Sequence, residues 1–215
     1  MKRNLFYFLC LAGLICPSCE KDSENESLRK TYKCIFIGDS ITENWTTEGY
    51  DPEFFTSHSF LNSGKGGETT QDMLARFGKD VTYYKPEVVV ILAGINDIAQ
   101  NDGYISNENI MKNITEMCEK AAFNHIKVIL CSILPVYQFG LNTNIQTVPL
   151  ILDLNRRIKS YAESKAYPYV DYYSAFVDDR GGLPAIYSTD EVHPTKACYQ
   201  IMESMILEVI NKTLD

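Results

Sequence analysis

Short apolar runs recur along the chain with longer helical patterns between them, and this alternation predicts the fold. Cys34-Ile35-Phe36-Ile37, within the run Lys33–Ile37, is apolar at every position, as a strand buried on both faces requires. Glu87–Ala93 repeats the pattern with three consecutive valines before Ile91 and Leu92, and Lys127–Leu134 repeats it until Pro135 ends the run. Ser59–Asn62 reads as a short second strand and Tyr169–Tyr173 as a fifth. Thr70–Phe77, Asn107–Asn124, Pro149–Ala166 and Pro194–Leu214 carry helical patterns. In the last of these, proline occupies the first turn, and Ala197, Ile201, Met205 and Val209 recur every fourth residue. Strands apolar on both faces imply a sheet covered on both sides, hence parallel strands joined by crossover helices. The pattern therefore predicts one doubly wound α/β domain, whose sites form beyond the carboxyl ends of the strands.

Three polar motifs fall at such ends: Gly38-Asp39-Ser40-Ile41-Thr42, Asn62-Ser63-Gly64-Lys65-Gly66-Gly67-Glu68-Thr69-Thr70, and Gly94-Ile95-Asn96-Asp97. A fourth, Asp190-Glu191-Val192-His193-Pro194, precedes the final helix. A serine hydroxyl is a poor nucleophile until a base takes its proton, so a working Ser40 needs a histidine. The chain has three. His58 lies just before the second predicted strand and His125 in the turn leading to the fourth, and both read as solvated or structural. His193 follows Asp190 by three residues, a spacing that lets one turn present both side chains to the same place. The carboxylate then holds the imidazole tautomer and stabilises the imidazolium. An Asp and a His near a helix start also serve as caps, and Ser40 is what favours the catalytic reading. Asp39 neighbours the nucleophile but points away from it, which predicts a carboxylate that fixes the turn through backbone amides.

In this order the four blocks resemble the SGNH hydrolases, also called the GDSL-type lipase/acylhydrolase family, over about residues 32 to 212. The resemblance implies a three-layer αβα sandwich around a flavodoxin-like parallel sheet of about five strands. It implies a serine esterase with Ser40, His193 and Asp190 as its triad. It places the oxyanion donors at the Ser40 amide, the Gly67 amide and the Asn96 side chain. A glycine at position 67 suits that role because its amide can approach a substrate closely. Glu68 stands where many relatives carry Asp. The implied mechanism needs no metal and no cofactor. No G-x-S-x-G elbow and no G-x-x-x-x-G-K-[ST] loop occurs, which sets aside the ordinary α/β-hydrolase and phosphate-loop readings.

The 215 residues suit one domain, and the formal charge of −8 argues against nucleic acid as a partner. Lys2-Arg3 followed by the apolar stretch Leu5–Ile15 reads as an export signal, too short for a confident membrane span. Ser18-Cys19 resembles the end of a bacterial lipoprotein signal, which makes Cys19 the candidate lipidation site. The expected organisation is a signal over residues 1–19, an acidic tether over 20–31 and a hydrolase domain over 32–215. That predicts an exported protein at the outer membrane or cell surface, otherwise periplasmic, which meets a membrane only through its anchor. Of seven cysteines, Cys34 and Cys131 fall in predicted strands and Cys118 and Cys198 in predicted helices, and no disulfide is expected.

Compact exported relatives with G-D-S-I-T and a nearby Trp45 look most like carbohydrate acetylesterases and the platelet-activating-factor acetylhydrolase-like branch. The expected substrate is therefore a small-molecule or glycan ester with a short acyl group, acetyl first, with Trp45 and Tyr137 as candidate sugar-stacking residues. A lysophospholipase or thioesterase acting on longer chains is the alternative, and it needs a long apolar groove. A catalytically silent glycan-binding lipoprotein is the minor alternative. Val136–Thr147, a polar loop after the fourth strand, reads either as part of a substrate pocket or as a surface excursion.

Overall fold

The computed structural model describes residues 31–47, 51–140 and 144–215. The expected signal, Cys19 and nearly all of the acidic tether lie outside them. Five strands form one parallel sheet: β1 (Cys34–Gly38), β2 (Phe60–Gly64), β3 (Val88–Leu92), β4 (Lys127–Cys131) and β5 (Tyr169–Val170). Their order, β2-β1-β3-β4-β5, is that of the doubly wound flavodoxin-like sheet. Every residue of β1 and β3 is buried, which is why these two strands were the most legible in the sequence.

The helices are α1 (Ser40–Asn44), α2 (Pro52–Ser57), α3 (Thr70–Asp80), α4 (Ile95–Ile98), α5 (Asn107–Phe123), α6 (Thr147–Lys165), α7 (Tyr172–Phe176) and α8 (Lys196–Leu214). Helices α3, α5 and α6 pack in succession over one face of the sheet, while α8 lies along β3, β4 and β5 on the other. Beside α8 an aromatic cluster of Phe36, Trp45, Phe54, Phe55 and Phe60 fills the space under α1 and α2. The result is the three-layer αβα sandwich.

Several boundaries differ from the sequence expectation. The fifth strand ends at Val170 because the Asp171 carboxylate accepts the Ser174 amide at 3.0 Å and starts α7 there. The fourth strand stops at Cys131, and Ser132–Pro135 leave the sheet while staying buried. The final helix starts at Lys196, not at Pro194. Pro194 is extended in a bridge opposite Ser188, and the Thr195 amide donates to the Tyr187 carbonyl at 2.8 Å, so helix geometry cannot begin earlier. Cys34, Cys118, Cys131 and Cys198 are buried free thiols.

Candidate active site

Ser40 opens α1 immediately after β1, and small residues make that turn possible. A β-carbon at Gly38 would lie 2.1 Å from Thr42 Oγ1 and 2.8 Å from the Leu92 carbonyl. One at Gly64 would lie 2.1 Å from the Glu43 amide nitrogen, so α1 rests directly on the end of β2. The turn is then tied down from several sides. Asp39 Oδ1 accepts the Ile41 amide at 2.9 Å, the turn-fixing role expected of it. Asn62 Nδ2 donates to the Thr42 carbonyl at 2.6 Å, and Gly66 N–H donates to Glu43 Oε2 at 2.8 Å. Asp39 is fully buried. Desolvation raises its carboxyl to about 7, against the opposing pull of the Ile41 amide and of His193.

The fold brings Ser40, His193 and Asp190 together across most of the chain. Ser40 Oγ lies 3.0 Å from His193 Nε2, and His193 Nδ1 lies 2.7 Å from Asp190 Oδ2. The Asp190–His193 turn is wound tightly. Asp190 Oδ1 accepts the amides of Val192 and His193 at 2.9 and 2.7 Å, and Glu191 takes the left-handed conformation at φ 68°. Partial burial alone would raise Asp190. The hydrogen bonds from the His193 ring and from these two amides outweigh it and hold the carboxyl at about 2. An ionised Asp190 accepts from Nδ1–H, which leaves the Nε2 lone pair facing the Ser40 hydroxyl. The side chains of His193 and Asp190 are 38% and 50% exposed, so the site is open to solvent.

Asn96, in the first turn of α4, lies beside the Gly67 loop: its Nδ2 donates one N–H to the Glu68 carbonyl at 3.0 Å, which leaves the second N–H available. Gly67 is exposed with φ 79°, a conformation that favours glycine. A β-carbon there meets no protein atom within 4 Å. Crowding is instead found at Gly66, where a β-carbon would lie 2.9 Å from Glu43 Oε2 and 3.8 Å from Ser40 Cβ. Backbone conformation, rather than room against the protein, is thus what asks for glycine at 67.

Trp45 requires a correction. It is 1% exposed, stacked on Phe54 at 5.8 Å and hydrogen-bonded through Nε1 to Glu203 at 2.8 Å, so no sugar can reach its ring. Tyr137 is half exposed, with the Arg180 guanidinium 5.3 Å from its ring centre. Arg180 also bonds Glu191 at 2.9 Å, which ties the Tyr137 loop to the turn carrying Asp190 and His193. His58 and His125 lie at the opposite edge, where strands begin; His58 donates from Nδ1 to the Phe54 carbonyl at 2.7 Å. A cavity of about 610 Å³ between Lys127, Tyr169 and Val209 opens at that same edge and contains none of the candidate residues. Close to the site is a smaller one of about 230 Å³, bordered by Thr69, Gln71, Asp97, Asp102 and Tyr104.

Sequence reasoning missed the supports. Asp97, buried in α4, accepts the Thr70 amide at 2.9 Å and the Thr70 hydroxyl at 2.6 Å, joining α4 to the start of α3. Arg76 is 7% exposed on the inner face of α3. The signal for it was a cation in the apolar stripe that also holds Met73 and Phe77.

Residues 36–201 match the model of the GDSL-like lipase/acylhydrolase family. The chain belongs to this family. GDSL-like acylhydrolases are ester hydrolases, and this one is a carboxylic ester hydrolase. An acetylxylan esterase from Geobacillus stearothermophilus is 29% identical to it over 205 residues, covering 83% of this chain and 93% of that protein. A protein of solved structure from Bacteroides fragilis NCTC 9343 is 40% identical, with a TM-score of 0.84, covering 91% of this chain and 97% of its own. A GDSL-like lipase from Bacteroides thetaiotaomicron VPI-5482 is 37% identical, with a TM-score of 0.82 and coverage of 90% and 97%. Among the described residues, no helix of this GDSL-like hydrolase is long and apolar enough to cross a membrane.

Proposed function

We propose that the protein cleaves short-chain acyl esters, acetyl on a carbohydrate first among them, with Ser40 as nucleophile, His193 as general base and acid, and Asp190 as the residue that orients it. The observation that carries this reading is the unbroken hydrogen-bond chain from Ser40 Oγ through the His193 ring to Asp190 Oδ2, at 3.0 and 2.7 Å. Ser40 Oγ adds to the ester carbonyl as its proton passes to His193 Nε2. The new oxyanion receives hydrogen bonds from the Ser40 and Gly67 amides and from the second N–H of Asn96. The tetrahedral intermediate collapses, His193 returns the proton to the departing alcohol, and the acyl group stays on Ser40. Water, deprotonated by His193, then attacks the acyl-enzyme and releases the acid.

Two features support a short acyl group on a sugar over a long lipid chain. The acetylxylan esterase relative is matched over 93% of its length. The cavity near the site is bordered by the polar side chains of Thr69, Gln71, Asp97 and Asp102 together with Tyr104 and Ile105, and is not the long apolar groove that a longer acyl chain needs. Tyr137, half exposed on its loop, is the remaining candidate to lie against a sugar face. Export and acylation at Cys19 rest on the pattern of Met1–Cys19. The test is hydrolysis of 4-nitrophenyl acetate, butyrate, octanoate and palmitate, together with acetate release from acetylated xylan, using Ser40→Ala as control. Acetate-selective turnover and release from xylan, both lost in Ser40→Ala, are expected. A preference for octanoate or palmitate would overturn the short-chain reading.

A further inference from the structure

We infer that Arg76 is a positioning residue for the oxyanion hole, acting through the backbone of three segments that meet at its guanidinium. The inference rests on the oxyanion assignment proposed above. A buried guanidinium must satisfy five N–H donors, and here all five are used. Nε donates to the Glu68 carboxylate, and Nη1 donates to Ser63 Oγ and to Asp80 Oδ2, each at 2.9 Å. Nη2 donates to the carbonyls of Gly38 at 3.1 Å and Ser63 at 2.8 Å.

Three of its four partner residues, Gly38, Ser63 and Glu68, stand on the segments that carry the proposed hole. Gly38 ends β1 two residues before Ser40, and its carbonyl also accepts the Lys65 amide at 3.0 Å. Ser63 is in the last part of β2, at the start of the loop that carries Gly67. Glu68 directly follows Gly67, and its carbonyl holds Asn96 Nδ2. One planar fork thus sets the end of the nucleophile's strand, the start of the Gly67 loop and the end of that loop against one another. Through Glu68 it also fixes the carbonyl that aims Asn96. None of these contacts reaches a substrate, so Arg76 acts only by holding the three donors in register.

The charges explain why arginine is needed. Lys65 and Arg76 face Glu68 and Asp80, with Lys65 Nζ 3.5 Å from Asp80. A lysine at 76 preserves that balance but is a point charge on a flexible stem, and it cannot bridge two backbone carbonyls and two carboxylates together. Positioning errors of about 1 Å cost about 10²-fold in rate. The Arg76→Lys protein should therefore fold yet hold its hole loosely.

The experiment compares wild type, Arg76→Lys, Arg76→Gln and Glu68→Gln with Ser40→Ala, after near-ultraviolet circular dichroism has established that each is folded. Steady-state kinetics on 4-nitrophenyl acetate are paired with inhibition by a methyl trifluoromethyl ketone, whose adduct with a serine puts an oxyanion in the hole. The expected result for Arg76→Lys is a kcat loss of about 10- to 100-fold with KM within about twofold. The inhibitor constant should rise in step with the fall in kcat/KM. If Arg76→Gln does not fold, Arg76→Lys and Glu68→Gln decide the matter. A folded Arg76→Lys with kcat and inhibitor affinity of wild type, beside an inactive Ser40→Ala, overturns this inference alone. Turnover retained in Ser40→Ala overturns the active-site reading beneath it.

Discussion

The Tyr199 hydroxyl donates to the Ile41 carbonyl at 2.6 Å, joining the helix that follows His193 to the helix that Ser40 opens. Trp45 and Glu203 make a second join between the same helices at 2.8 Å. The distance between Ser40 and His193 is therefore set by contacts between segments 158 residues apart. Tyr199→Phe leaves a buried carbonyl without this donor and should lower stability by about 1–3 kcal/mol. Denaturant unfolding should show the midpoint falling with an unchanged m-value.

Trp45 and Tyr137 separate packing from recognition. Trp45→Ala opens a cavity among Phe36, Phe54 and Tyr199 and should cost about 3–5 kcal/mol. The milder Trp45→Phe should leave KM for acetylated xylo-oligosaccharides within about twofold while lowering the melting temperature. Tyr137→Ala should do the reverse, raising KM for the oligosaccharide and leaving KM for 4-nitrophenyl acetate unchanged.

Asn96→Ala removes a side-chain donor from the proposed oxyanion hole and releases the Glu68 carbonyl. A fall in kcat of about 10²–10³-fold is expected, with KM little changed. Because Asn96 donates to Glu68, Asn96→Asp should be no better, since it exchanges the donor for an acceptor.

Buried Asp39 makes stability depend on pH in a defined direction. Its carboxyl is raised to about 7 by desolvation, whereas an unfolded aspartate titrates near ~3.9. The folded state therefore holds the proton more tightly. The stabilisation from this is full below about pH 4 and is lost as pH rises through about 7. Asp39→Asn keeps an oxygen for the Ile41 amide and should flatten that decline in a melting-temperature series from pH 4 to 8. Burial also raises Asp97 and Glu203, so they contribute to the slope that remains in Asp39→Asn.

Much of this architecture was legible in the sequence wherever neighbours along the chain decide the outcome. β1 and β3 were visible because burial on both faces leaves no polar position in the run. Ser40 and the Asp190–His193 pair were visible because one turn sets each arrangement. Tyr169–Tyr173 misled because its aromatic residues imitate a strand and hide a local helix start, the Asp171 cap on the Ser174 amide that ends β5. Trp45 misled for a different reason. Whether an aromatic ring faces sugar or core depends on Phe54, Tyr199 and Glu203, two of which are distant in the chain. Arg76 was hidden because its partners are scattered over Gly38, Ser63, Glu68 and Asp80.

The most direct test of the account is covalent labelling with a fluorophosphonate, followed by peptide mass spectrometry. A serine activated through His193 and Asp190 should displace fluoride, so the account expects a single adduct on the peptide containing Ser40. That adduct should be lost in Ser40→Ala and formed orders of magnitude more slowly in His193→Ala. Labelling at another serine, or an unlabelled Ser40 in an enzyme that still hydrolyses 4-nitrophenyl acetate, would contradict it.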